Sequence, residues 1–524
     1  LGNKVKGKPS ISEFLNDPDK RTIGAFQPIY IAAWLQDQFQ FKDLIFRLGL
    51  RMERYDANQI VLADPYSLYP IKTAAEVGEI NGLPINHPSN IAEDAKVYVN
   101  DMESPTQIVG YRMGDKWFNA DGSEQRNPEF LANKTVNGRI APYLYRTDTQ
   151  EVTEATFMDY TPIVNLLPRV WFSFPLDKRK SFYVSYDVLA QRPNAGASFV
   201  SIDDVYFLKF RQGSTLANGS LNSRLKTDYE VGFKQIFGRR NDKGLELAAS
   251  YSEIRNDFGL YQINQGYPVT YSTYRNIDFA TITGFRGNFV MRDIGPMTLS
   301  ASYMLQFADG TGSNINSQAA LIASNQPNLR TVIPLGDLDI RHNIKLSATW
   351  AWAGGRDRNR RNLYTGPILF GKEILKNTSI NIIANTYSGG PYTPTVRPVQ
   401  IGAVDRAQIK GVPFGARLPW QYNFDFNLTK SFQLNRGDSK NPLRFAAFLW
   451  VNNLLNTWNV TGVFPYTGQP NDDGFLTSPQ GQLLIRNQVD AQSYTDLYRL
   501  LLNSQTGNWN RPRTIRLGIR FSLN

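Results

Sequence analysis

Apolar and polar residues alternate from Tyr422 to Phe432, with Lys430 alone out of step. Tyr422, Phe424, Phe426 and Leu428 fall on one side; Asn423, Asp425, Asn427 and Thr429 fall on the other. A period of two belongs to a β-strand with two unlike faces. The pattern returns at Leu44, Phe46, Leu48, Leu50 and Met52 against Arg47, Gly49, Arg51 and Glu53. It returns at Met297, Leu299, Ala301, Tyr303, Leu305 and Phe307 against Thr298, Ser300, Ser302 and Gln306. Ile344, Leu346, Ala348, Trp350 and Trp352 oppose Lys345, Ser347 and Thr349, and Ile515, Leu517, Ile519, Phe521 and Leu523 oppose Arg516, Gly518, Arg520 and Ser522. Each run covers about ten residues, the length a tilted strand needs to cross a bilayer. In a soluble sandwich the apolar face would be the core. In a membrane barrel it faces lipid, and the polar face lines a lumen.

The spacing of the runs separates these readings. Strands are expected near 28–40, 42–53, 168–175, 181–190, 226–238, 244–258, 277–292, 296–308, 340–352, 377–389, 420–432, 443–456 and 513–523. Short links at 176–180, 238–244, 292–296 and 433–442 alternate with long ones near 54–167, 191–225, 259–276, 309–339, 390–419 and 457–512. Short turns at one end and long loops at the other are the outer-membrane barrel pattern, and a sandwich has no reason to sort its loops so. One link, 353–376, is longer than its place among the short turns predicts. The expected fold is an all-β, antiparallel transmembrane barrel wall with long extracellular loops and short periplasmic turns. Phe424 and Phe426 then face lipid, while Arg47, Arg51, Glu53, Lys345, Asn423, Asp425 and Asn427 are lumen-facing candidates. A charge turned toward mid-bilayer would cost about 2–4 kcal/mol.

Composition is natural for a barrel and awkward for a helical membrane protein, and by itself leaves a soluble all-β protein open. Aromatic residues make up 13% of the 524, yet no apolar run approaches the length of a membrane helix. The formal charge of +11 suits an anionic membrane surface, and no basic, aromatic-interleaved module for nucleic acid is visible. Cysteine is absent, which is compatible with an oxidising compartment. The chain opens "LGNKVKGKPS", without initiator Met or signal peptide, and is expected to be a mature or partial chain.

Candidate chemistry is sparse. His87 and His342 have no second His or Cys at ligand spacing, so neither a metal nor a cofactor is expected. "NDDG" (471–474) and "ADGTGSN" (308–314) lack the terminal Glu of a calcium loop and read as turns. No nucleophile elbow, phosphate-binding loop or zinc-protease motif occurs, and no enzyme is expected. The basic run 354–362 falls on the short-turn side and reads as solvated. In the loop 457–512, Tyr466, Tyr494 and Tyr498 are candidates for contact with a ligand or partner, and Trp458 and Trp509 for an interfacial girdle. The same loop holds a predicted helix over 493–504, with Ser493 as its N-cap.

Seven segments, in order, resemble the barrel of TonB-dependent outer-membrane receptors. "IAAWLQDQFQFKDLIFRLGLRMERYD" (31–56) resembles a mid-barrel hairpin of that family. "LKTDYEVGFKQ" (225–235) resembles a strand in which the family carries a Pro-Glu that Arg224-Leu225-Lys226-Thr227 lacks. "RNIDFATITGFRGNF" (275–289) is similar to another, with Arg286 where the family has Glu. "DIRHNIKLSATW" (339–350), "NTYSGGPYTP" (385–394), "FAAFLWVNNLLNTWNV" (445–460) and "RPRTIRLGIRFSLN" (511–524) resemble its C-terminal third. The segments at 168–175 and 182–193 look most like the Oar-like or SusC-like branch.

The resemblance implies a barrel of about 22 strands around a plug. Thirteen is an odd count, so this chain is expected to be the C-terminal part, with plug and TonB box outside it and a large extracellular loop at about 54–167. It implies uptake of a large ligand (a peptide, protein, glycan or metal chelate) driven by TonB pulling on the plug. The implied surroundings are outer-membrane lipid and lipopolysaccharide of a Gram-negative cell. A surface lipoprotein or other outer-membrane subunits are candidate partners. A non-transporting scaffold in a larger outer-membrane assembly would use the same wall and loops.

Overall fold

The computed structural model describes residues 9–148, 151–211, 213–312, 314–319, 322, 330–336, 338–354, 364–403, 407–434 and 443–522. Thirteen long strands form one sheet: β1 Ile29–Phe41, β2 Leu44–Asp56, β3 Ile163–Asp177, β4 Lys180–Gln191, β5 Arg224–Phe237, β6 Lys243–Ile263, β7 Tyr271–Ile294, β8 Met297–Gly310, β9 His342–Trp352, β10 Thr378–Tyr387, β11 Gln421–Leu434, β12 Leu443–Asn452 and β13 Thr514–Ser522. Each pairs antiparallel with the next, from β1 to β13, in chain order. Two short strands, Thr215–Leu216 and Ile333–Pro334, join the same sheet. The result is an all-β antiparallel wall with alternating short and long links. Eight residues of the basic run, 355–362, lie outside the described residues.

Register turns the period of two into two surfaces, because directly opposed residues share a face. One row reads Met291, Leu299, Ala348, Ile382, Phe426, Val451 and Ile515 across seven strands. A row on the other face reads Lys234, Glu246, Asn288, Ser302, Lys345, Asn385 and Asn423. The first face leaves Leu50, Val184, Val231, Leu346 and Leu517 exposed. Soluble monomers rarely expose a contiguous apolar surface on this scale.

Aromatic rings collect at both ends of the apolar face. Toward the short turns Phe39 stacks on Phe46, and Phe432 on Phe445, which leads to Phe521. Toward the long loops Tyr303, His342, Trp420 and Tyr422 stack in sequence with centroid spacings of 6.2, 5.5 and 6.4 Å. Ten residues separate Tyr422 from Phe432. At about 3.4 Å per residue and about 40° of tilt, the band between the girdles is roughly 25 Å tall, which is a bilayer's hydrocarbon height for a barrel.

Some strands outrun their expected bounds. β6 has 21 residues and β7 has 24, against the shorter stretches at 244–258 and 277–292. Their extension carries a β-bulge between Ile254 and Asp257, with Asn256 at φ 57. Beyond it Ile263 and Tyr271 are buried in a core that belongs to the loops. β12 stops short of 456, at Asn452, since Asn453 and Asn456 take φ of 53 and 52 and turn the chain away.

The long link between β2 and β3 is folded. Lys96–Val99, Ile108–Met113, Lys116–Asn119 and Glu124–Gln125 make a four-stranded sheet. Tyr98, Trp117, Leu131 and Leu144 from it pack with Val205 and Leu208 of the next long link. The expected helix is there as Ala491–Asn503, preceded by a second helix, Pro479–Arg486. Its N-cap is Asp490 rather than Ser493. The Asp490 carboxylate accepts from the amides of Gln492 and Ser493, and the Ser493 hydroxyl donates to it at 2.6 Å.

Candidate functional site

The polar face carries three groups of functional side chains. In the first, Arg47, Arg51 and Glu53 of β2 point to this face together. Arg51 Nε donates to Glu53 Oε1 at 2.6 Å and its Nη2 to the Tyr30 hydroxyl at 2.9 Å. Arg47 Nε donates to Gln38 Oε1 at 2.8 Å, and its guanidinium lies 4.7 Å from the Trp171 ring centre. These bonds tie β1, β2 and β3 laterally, so this group braces the wall.

The second group lies where β9 to β13 meet the loop 453–513. Lys345, Asn385, Asn423, Asp425, Asn453 and Arg516 line a recess of about 720 Å³. Asp425 accepts from Asn423 Nδ2 at 3.1 Å and from the Asn453 amide at 2.9 Å. Asn453 Nδ2 donates to the carbonyls of Thr457 and Arg511, each at 3.1 Å, which binds both ends of the loop to the strand tops. Asn459 does the same for Tyr422 through both of its amide atoms. Carboxamides suit this work because each donates and accepts at once. Lys345 stays exposed toward the recess. Asn427, one step along β11, sits between Asn381 and Trp450 rather than in the lining. A polar recess of this kind can hold a solute by hydrogen bonds.

The third group was not foreseen as a unit. Tyr183 donates to Glu230 at 2.7 Å and to Glu246 at 3.1 Å. Arg286 Nη2 sits 3.1 and 3.6 Å from the same two carboxylates, and Lys234 lies 3.5 Å from Glu246. Two acids and two bases from β5, β6 and β7 thus neutralise one another on the polar face. The Tyr183 ring lies over Gly232, where a Cβ would come within 2.3 Å of it. Glycine lets the ring cross the strand flat. The signal available in sequence was Arg286 itself, a charge at a strand centre on the polar parity.

On the loop side, Tyr498 lies inside the loop instead of on its surface. It is 3% exposed, donates to Asp473, and accepts from the Ile401 amide at 3.0 Å. Burial, with the Asp473 carboxylate beside it, pushes its hydroxyl pKa well up. Tyr494 packs against it with a ring spacing of 6.1 Å. Of the three loop tyrosines, Tyr466 is the one left open, at 47% exposure. Trp458 meets Trp509 edge-on at 5.8 Å beside the strand ends. A separate recess of about 500 Å³ lies among residues 9–27 and the loop ends, with Asp56, Asp159 and Asp203 on its lining. Sequence reading gave no hint of it, since its walls come from four distant segments.

Both histidines are engaged within the fold. His87 Nδ1 is 2.9 Å from the Tyr111 hydroxyl and Nε2 2.8 Å from the Val77 carbonyl. His342 Nδ1 is 3.0 Å from the Tyr303 hydroxyl within the outer girdle. Among the described residues no three His, Cys, Asp or Glu side chains gather as a metal set.

No family model and no curated protein matches this chain. Solved structures match in part. The ferric-catecholate import receptor Fiu from K12 E. coli aligns at 14% identity and TM-score 0.39, over 83% of this chain and 42% of that one. The FrpB iron transporter from Neisseria meningitidis aligns at 12% identity and TM-score 0.40, over 86% and 45%. The outer membrane transporter YddB from Escherichia coli aligns at 8% identity and TM-score 0.40, over 83% and 51%. The chain thus spans about half the length of these structures, or less. At these TM-scores the functional reading rests on the chain's own geometry and motifs.

Proposed function

We propose that this chain forms wall and outer loops of a TonB-dependent outer-membrane transporter of the Oar-like or SusC-like branch, in a Gram-negative outer membrane. The observation that carries the membrane half of the reading is the pair of opposed rows. Seven apolar residues line up across the strands on one face, and seven polar ones on the other. The transport half rests on the seven segments that resemble the family in its own order. On this reading the apolar face meets lipid and the polar face meets the lumen, where the family places a plug. The recess around Lys345, Asn423 and Asp425 then offers hydrogen bonds to a passing polar ligand or to that plug. The open Tyr466 and the folded link 57–162 belong to the capturing surface. The plug and the TonB-binding segment would be supplied from outside these residues.

Two measurements test the halves separately. Adjacent cysteines at Phe426→Cys and Asn427→Cys, in the full-length protein in outer membranes, are expected to differ sharply toward a water-soluble maleimide. Asn427→Cys should react and Phe426→Cys should not; equal reactivity would remove the membrane wall. For transport, the purified full-length protein is expected to capture the periplasmic domain of TonB. Failure to capture it, with the wall confirmed, would leave a scaffold.

A further inference from the structure

The overlong link between β9 and β10 ends in a small hairpin. Ile368–Leu369 pairs antiparallel with Lys372–Glu373, and Phe370 and Gly371 form its two-residue turn at φ 50 and 72. Such a turn needs positive φ at both central residues, which Asn-Gly or Asp-Gly supplies without strain. A phenylalanine there is an outlier, and strain of this sort persists where the side chain has a use. Phe370 is 95% exposed, with Ile368 at 66%, Leu369 at 52% and Ile374 at 41% beside it. Two other short turns are polar, at Lys178-Arg179 and Arg239 to Asp242, and the one at Gly295-Pro296 carries no large exposed side chain at its tip.

The base of the hairpin sits on the apolar side of the wall. Trp352, Thr378 and Lys430 are register neighbours on that face. Lys430 Nζ donates to the Ile374 carbonyl at 2.6 Å, and Gly366 lies against the Trp352 ring, where a Cβ would come within 2.8 Å of it. The Tyr364 hydroxyl closes the base, donating to the Pro367 carbonyl at 2.7 Å and accepting from the Leu375 amide at 3.2 Å. Two residues beyond Lys430 begins the Phe432–Phe445–Phe521 stack of the short-turn girdle. The hairpin therefore springs from the apolar face, beside the short-turn girdle.

We propose that this hairpin is a membrane-interface anchor, whose Ile368, Leu369, Phe370 and Ile374 side chains enter the inner leaflet beside the wall. The inference rests on the lipid-facing reading of the apolar face. Lys372 beside the tip suits anionic headgroups, while Lys376 at the base pairs with Glu373 of the same hairpin at 3.4 Å. An aromatic tip with a lysine beside it is the chemistry of an interfacial insertion, and it holds the rim of the wall at a set depth.

These 524 residues contain no cysteine, and any cysteine elsewhere in the full-length protein would first be replaced by serine. Phe370→Cys carrying an environment-sensitive fluorophore would be placed in the full-length protein, in vesicles of phosphatidylethanolamine and phosphatidylglycerol. Phe426→Cys and Lys178→Cys serve as lipid and water references. A nitroxide lipid should quench the label at residue 370 by more than half of its effect at residue 426, while iodide should quench it several-fold less than at residue 178. Leu369→Cys repeats the test where Phe370→Cys disturbs the turn. Strong iodide quenching with no nitroxide effect overturns the anchor, and so does protection from both, which would mean a protein surface covers the tip. Loss of nitroxide quenching at residue 426 itself would instead overturn the lipid-facing wall, and the anchor with it.

Discussion

At the scale of single residues, the charged side chains away from the bilayer act by being paired. Arg112 is nearly buried, bonded to Asp64, to the Tyr98 hydroxyl at 3.0 Å and to the Gly114 carbonyl at 2.8 Å, under the Tyr66 ring. Removing one partner of such a pair strands the other, at about 3–5 kcal/mol. Arg112→Met is therefore expected to open the folded link 57–162, seen as faster proteolysis there while the wall stays intact. Asp115 docks the same link onto β7 through Arg275. Burial alone would raise its carboxyl, but the hydrogen bond and charge of Arg275 outweigh this and hold it below the ordinary 3.8. A depressed folded pKa adds stability that is complete above the unfolded value and fades as pH falls through the folded one. The link should keep its protease resistance at pH 5 and begin to lose it only below about pH 4, and Asp115→Asn should remove that acid dependence.

Elements show what each face tolerates. Phe426 and Asn427 are neighbours on β11, near the middle of the band between the girdles. Phe426→Arg is expected to destabilise the folded barrel by about 2–4 kcal/mol, while Asn427→Arg is expected to stay within about 1 kcal/mol, both read from denaturant unfolding in lipid. In the helix Ala491–Asn503, Tyr494, Tyr498 and Leu502 recur at helical spacing and face the loop core. Sequence reading placed this helix within three residues and put its tyrosines on a surface. It went astray because period alone identifies an apolar stripe without saying what covers it. What covers Tyr498 is Phe475 and the Ile401 segment, from nearly a hundred residues away. Asp490→Ala, which removes the cap, is expected to cost about 1 kcal/mol of helix stability, read as local hydrogen exchange.

For the whole molecule, the sorting of links predicts sidedness. Val489, fully exposed between the two loop helices, and Lys178, in a short turn, lie at opposite ends of the wall. On intact cells an impermeant maleimide is expected to label Val489→Cys and to spare Lys178→Cys until the outer membrane is opened. The reverse pattern would invert the topology.

How much was legible follows from the range of each interaction. A strand's faces are a local property: side chains alternate by backbone geometry, so Phe424 and Asp425 are assigned to opposite sides before any neighbour is known. A one-residue slip would put Lys345 on the apolar face, so the same alternation also constrains register, and with it the rows across the sheet. The sequence by itself thus determined the two-faced antiparallel wall, its strand order and the sorting of short and long links. The tertiary structure decided everything that depends on residues meeting from afar. It gathered Tyr183, Glu230, Glu246 and Arg286, lengthened β6 and β7 onto the loop core, and turned Tyr498 inward. It also set an apolar hairpin at the rim. In each case the deciding energy is burial or charge pairing between segments far apart in the chain, which no local period encodes.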